Sequence, residues 1–210
     1  MVYSKKIPPS DSNLSMTLLD NGWVKIKEPQ NLFITVMISI PFMIINAAIL
    51  ILFVPPIKIP LSEILEQLDN GGFTFVIDIK LLLYIVAFFV FLVAHELLHA
   101  VFIPDFIKSR KTFWGITPYG GFVSTTEELS KLQFFLISIT PFVALSVILP
   151  LIFSFLGIYS NFVTFLAVLN ALASSVDILN IFLITFQVPN KSLIILNGFE
   201  TYYKVLKVRV

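Results

Sequence analysis

The chain has no cysteine and only two histidines in 210 residues. Without thiols it can form no disulfide and offers no thiolate to a metal. Any ligand set must then come from imidazole, carboxylate, water or substrate. Charge is scarce as well: Asp, Glu, Lys and Arg make up 13% of the residues, and the formal net charge is +1. So even a balance leaves no electrostatic footprint for nucleic acid, which is excluded as a partner. No apolar core follows Lys5 and Lys6, so no cleaved signal peptide is expected.

What the chain has in excess is apolar surface. Hydrophobic residues reach 57%, 22 positions are Phe, and mean hydropathy is +0.93. A soluble domain of this size could not bury that much, so lipid must be the solvent for a large part of it. Four apolar runs, at about 31–54, 81–103, 132–158 and 162–186, each supply the roughly 20 residues that a membrane crossing needs. The expected fold is an all-α membrane protein of about four transmembrane helices, with a short re-entrant or interfacial β-hairpin between helices two and three. Residues 1–30 form an N-terminal arm, 31–186 the transmembrane domain and 187–210 a basic tail. In the arm, Trp23 to Pro29 alternates apolar and charged residues. It reads either as a short strand or interfacial segment, with Trp23 at headgroup level, or as an arm without fixed structure. Residues 61–69 suggest a short amphipathic helix. Pro41, Pro141 and Pro150 interrupt their runs and are candidate kinks or gates.

Charge also orients the bundle. Of the 14 Lys and Arg, all but Lys58 and Lys80 fall in the arm, the 104–131 loop or the tail. The bias of basic residues toward the cytoplasm places these segments, and both termini, on that side of a cell membrane.

Both histidines sit in one pentapeptide, His95-Glu96-Leu97-Leu98-His99, late in the second run. Four residues apart on a helix they share a face, one turn from each other, and both can reach one ion. The H-E-x-x-H spacing is that of zinc peptidases, with the Glu as general base. Unpartnered, these three side chains would be costly in an apolar segment, so a metal is expected. A zinc site without thiolates needs a further ligand, typically a carboxylate. Asp177 is the only ionisable residue of the last two runs. Counted from the cytoplasmic ends at 1.5 Å per residue, the histidines lie roughly 6–13 Å deep and Asp177 roughly 14–18 Å. Modest tilt closes that gap. Asn170, Ser174, Asp177 and Asn180 make one polar stripe. Hydrogen bonds in a helix seam would explain its Ser and Asn residues, and a ligand role explains its acid.

Between helices two and three, Thr112 to Ser124 reads as two strand-like stretches around Pro118 and the pair Gly120-Gly121. It is either an ordinary hairpin or one whose edge, at Gly120, Gly121, Phe122 and Val123, holds an extended peptide by main-chain hydrogen bonds.

Taken together, H-E-x-x-H late in a membrane helix, a Gly-Gly-Phe-Val hairpin and a later intramembrane Asn and Asp resemble the site-2 protease family of intramembrane zinc metalloproteases. More closely, residues 20–205 resemble the putative zincin peptidase family of small bacterial multi-pass proteins. The site-2 family takes its third ligand from an Asn-x-x-Pro-x-x-x-Leu-Asp-Gly motif. Asn170 to Leu179 matches it without the Pro and the Gly, and with a spacing one residue shorter. The resemblance implies zinc on His95, His99 and Asp177, Glu96 as general base, and Asn170 on substrate or oxyanion. The implied activity is hydrolysis of membrane-anchored proteins or peptides near the cytoplasmic leaflet. The alternative is a non-proteolytic adaptor, immunity or regulatory protein that keeps the fold. A transporter fits poorly, because four helices without an internal repeat leave little room for alternating access.

Overall fold

A computed structural model describes residues 1–29, 31–55, 57, 62, 65–66, 69, 79–117 and 120–206. In chain order the elements are β1 (Val2–Tyr3), α1 (Ser12–Asp20), β2 (Val24–Lys25), α2 (Leu32–Phe53), α3 (Ile79–Ala100), β3 (Thr112–Thr117), β4 (Gly120–Thr125) and β5 (Leu129–Ser130). There follow α4 (Lys131–Pro141), a π-helical segment (Phe142–Ile148), α5 (Leu149–Phe155), α6 (Asn161–Ala173), α7 (Ser175–Gln187), β6 (Ser192–Asn197) and β7 (Glu200–Val205). The expected helix at 61–69 falls largely outside the described residues, as does the turn at Pro118.

Among the described residues, four helices are long and apolar enough to cross a membrane: Leu32–Phe53, Ile79–Ala100, Lys131–Phe155 and Asn161–Gln187. These match the four apolar runs closely. The second stops at Ala100 rather than Ile103, because the chain turns before Pro104. Each of the other three starts on a side chain that accepts a free first-turn N–H. Asn31 accepts from Ile34, Ser160 from Val163, and Ser130 from Gln133 within a reciprocal capping box. The prolines do not break their helices: α2 runs on through Pro41, and beyond Pro141 the third span continues as a π-helix. The fourth span is divided by a turn at Ser174 into α6 and α7.

The fourth span is the centre of the bundle. Half of its most apolar window is buried, against 6% for the second span. Helix α2 packs on both halves of the fourth span, while α3 packs on α4, α6 and β4. A peripheral helix therefore carries the histidines, and a central one carries Asp177.

The described strands form two sheets, of order β1-β3-β4 and β2-β7-β6-β5. Of the two readings of the arm after Trp23, the strand is the one found. Val24 and Lys25 of the arm pair with Tyr203 and Tyr202, and β6 and β7 form a hairpin over six residue pairs. Trp23 packs inside the protein rather than facing outward. It is buried with Leu18, Ile195 and Tyr202, because β2 carries it under the terminal sheet. The expected hairpin is present, with β3 and β4 paired over six positions. Its far edge takes β1 in parallel, and Gly115 permits that approach, since a Cβ there would collide with Ser4 O.

Candidate metal centre

His95 and His99 project from the last turns of α3, one turn apart, with ring centroids 5.0 Å from each other. Asp177, in the first turn of α7, faces both. Its Oδ2 lies 3.7 Å from His95 Nε2 and its Oδ1 lies 3.6 Å from His99 Nε2. The three residues offer one donor atom each, all within 4.8 Å of one another. The convergence expected from the sequence is thus found, and the estimated depth mismatch is absorbed by packing.

Those separations discriminate between two chemistries. A nitrogen and an oxygen sharing a proton sit at roughly 2.7–3.2 Å. Two ligands of one tetrahedral zinc, bound at about 2.0–2.1 Å, are roughly 3.3 Å apart. At 3.6 and 3.7 Å the groups are too far apart to be hydrogen-bonded, and a shift of a few tenths of an ångström brings them to ligand spacing. The donor set fits a metal ion.

The far sides of the rings are tied down. His99 Nδ1 lies 2.9 Å from Ile137 O, and His95 Nδ1 lies 2.7 Å from Asn170 Oδ1. A carbonyl only accepts, so His99 carries its proton on Nδ1 and turns the bare Nε2 toward Asp177. Asn170 is buried, and its Nδ2 is engaged with Pro141 O at 3.0 Å and Ser146 Oγ at 2.7 Å. With both N–H bonds used, the amide has no donor left for a substrate oxyanion. An oxyanion role for Asn170 would require it to release one of these bonds, and its Oδ1 is engaged with His95.

Glu96 lies on the same helix, against β4. The Val123 main chain hydrogen-bonds its carboxylate. A Cβ on Gly121 would come within 2.6 Å of Glu96 Cγ, so only glycine lets the strand pass so close. The four site residues line a cavity of about 540 Å³ that also takes in Gly121, Phe122 and Val123. Gly120 opens the strand. Sequence reasoning missed the opposite wall, where Glu28 from the arm and Thr201 from β7 line the same cavity. Thr201 donates to Glu28 from its N–H at 2.6 Å and from its hydroxyl at 2.8 Å. Burial pushes the Glu28 carboxyl above the usual carboxylate range, and the Thr201 hydrogen bonds partly offset it. A glutamate before an apolar run gives no hint of a partner so distant in sequence.

Four apolar helices around two imidazoles and two carboxylates define a multi-pass membrane protein with a candidate metal site. The family model described as "putative zincin peptidase" matches residues 88–193, half of the chain, running from α3 into β6. The chain belongs to that family, which implies zinc and metallopeptidase activity. No curated protein and no solved structure matches the chain.

Proposed function

We propose that the chain is an intramembrane zinc endopeptidase, of the type resembled by the site-2 proteases. It would cut membrane-anchored proteins or peptides near the cytoplasmic leaflet, with both termini in the cytoplasm. The observation that carries this reading is the spacing of His95, His99 and Asp177, which is too wide for hydrogen bonds and close to that of ligands on one ion. Zinc held there would polarise the scissile carbonyl and lower the pKa of water toward 7.

The chain's own residues supply the remainder. Glu96 takes the proton of the attacking water and returns it to the leaving amine. Gly121 keeps β4 against Glu96, and the Val123 contact holds the carboxylate beside that strand. Among the described residues β4 has no strand paired on its outer side. A substrate unwound into an extended chain can add there, since peptide bonds inside a helix are already hydrogen-bonded and shielded. Gly120, Gly121, Phe122 and Val123 are the contacts proposed for it.

The test is cleavage of a single-span reporter protein in vesicles by wild-type and Glu96→Gln chains. Chelator-sensitive cleavage by wild type, lost in E96Q with zinc retained, supports the proposal. Full turnover by E96Q ends the general-base role. Zinc binding without cleavage of any anchored substrate favours the non-proteolytic adaptor.

A further inference from the structure

The third span contributes no ligand, yet both imidazoles lean on it at one place. A proline has no N–H, so Pro141 cannot donate to the carbonyl four residues back. That carbonyl is Ile137 O, and the next N–H, of Phe142, turns to Ile139 O instead. Ile137 O is thereby left for a side chain, and His99 Nδ1 takes it at 2.9 Å. Pro141 also acts through its own oxygen, which accepts from Asn170 Nδ2 at 3.0 Å.

That second contact decides how Asn170 is oriented. The amide cannot be turned round, because Oδ1 would then face a carbonyl that only accepts. Ser146, five residues on along the π-helical segment, reinforces the choice. Its hydroxyl donates to Ala167 O at 2.9 Å and is therefore free to accept from Asn170 Nδ2 at 2.7 Å. Asn170 Oδ1 must then face His95, whose Nδ1 must carry the proton and whose Nε2 is left bare toward Asp177. Pro141, Ser146 and Asn170 are all buried, so water does not compete for these bonds. Single-turn π segments recur at functional sites, and here the segment brings residues 141 and 146 to one amide.

We propose that Pro141 is the positioning residue for both metal-binding imidazoles. Its missing N–H releases Ile137 O to His99, and its carbonyl, with Ser146, orients Asn170 to hold His95. This rests on the metal-site reading, but it concerns the metal-free protein and can fail separately from catalysis.

The chain has only two histidines, so ¹⁵N-histidine labelling of the full-length protein in micelles yields two ring systems. Spectra are taken without metal at pH 8, above the ordinary histidine pKa of about 6.5. Wild type should show both rings protonated on Nδ1, although free histidine in water favours Nε2–H. Pro141→Ala restores an N–H that competes for Ile137 O, so the His99 ring should shift toward Nε2–H, while His95, held through Asn170 by a main-chain carbonyl that alanine also has, should keep Nδ1–H. Zinc binding, measured by competition with a chromophoric chelator, should weaken roughly 10–100-fold, as for other outer-shell losses. The melting temperature should hold or rise, because alanine suits a helix interior better than proline. A structural role would lower stability and leave the tautomers alone. Pro150→Ala, in the same span but bonded to neither ring, should change neither readout. Asn170→Ala should shift His95 only, and Ser146→Ala should do so more weakly. These two variants carry the test if P141A fails to fold. Nε2–H rings in wild type, or Nδ1–H rings and zinc affinity within twofold of wild type across P141A, N170A and S146A, would overturn the proposal.

Discussion

Single residues in this site are constrained by contact rather than by chemistry alone. Gly121 is the clearest case. A methyl group there would overlap Glu96 Cγ, so the strand or the carboxylate must move. A displacement of about 1 Å can cost on the order of 10²-fold in rate. Gly121→Ala should thus lower kcat by about that factor while zinc stays bound, as measured by reporter cleavage beside metal content. Unchanged kcat would mean that Glu96 does not depend on that strand. The motif itself was readable, since four-residue spacing and the lack of any other histidine leave few interpretations. Pro141 was visible too, but only as an interruption. Nothing in a linear pattern tells which side chain will find a carbonyl that a proline has freed.

Among the elements, the pairing of β2 with β7 is what joins the two ends of the chain. Lys25 Nζ lies 2.6 Å from Glu200 Oε1, and Tyr202 Oη and Ser15 Oγ donate to Glu200 Oε2. The Lys25 bond, with Tyr202 next, pulls the Glu200 carboxyl down to about 2. A depressed carboxyl contributes fully above its unfolded pKa of about 4.5 and loses that contribution as pH falls toward 2. Trp23, buried against Tyr202, reports on this join. Its emission should shift to the red between about pH 4.5 and 2, and Glu200→Gln should flatten the transition. An unchanged profile in E200Q would remove the ion pair as the cause. Glu28 has the opposite sign: its raised pKa makes stability fall as pH rises through the window above about 4.5. Glu28→Ala would leave the Thr201 N–H without its acceptor, at a cost of about 1–3 kcal/mol. A lower thermal midpoint would show it, and an unaltered midpoint would show that water replaces the carboxylate.

Hydropathy revealed the spans, and the alternation after Trp23 hinted at β2, but nothing in the sequence named its partner. The pairing of Val24 with Tyr203 and of Lys25 with Tyr202 joins residues 179 and 177 positions apart, too distant for any local pattern to show. The β6–β7 hairpin did leave a sign, in Asn197-Gly198 between apolar stretches, with Gly198 at φ 62°. The basic residues around it led to a tail being expected instead.

At the scale of the whole molecule, a helical bundle supplies the candidate ligands and strands line the cavity beside them. Arm and tail meet above the cavity through Glu28 and Thr201, the hairpin closes its side through Gly121 to Val123, and the central fourth span brings Asp177 beneath the histidines. The account depends on that meeting of α3 and α7 at one ion. Zinc per chain, measured by elemental analysis of the purified full-length protein, tests it most directly. Wild type should retain about one zinc per chain through dialysis, and Asp177→Ala should fall well below that while staying folded. A wild-type chain that binds no zinc, or a D177A chain that keeps it with undiminished affinity, would contradict the account.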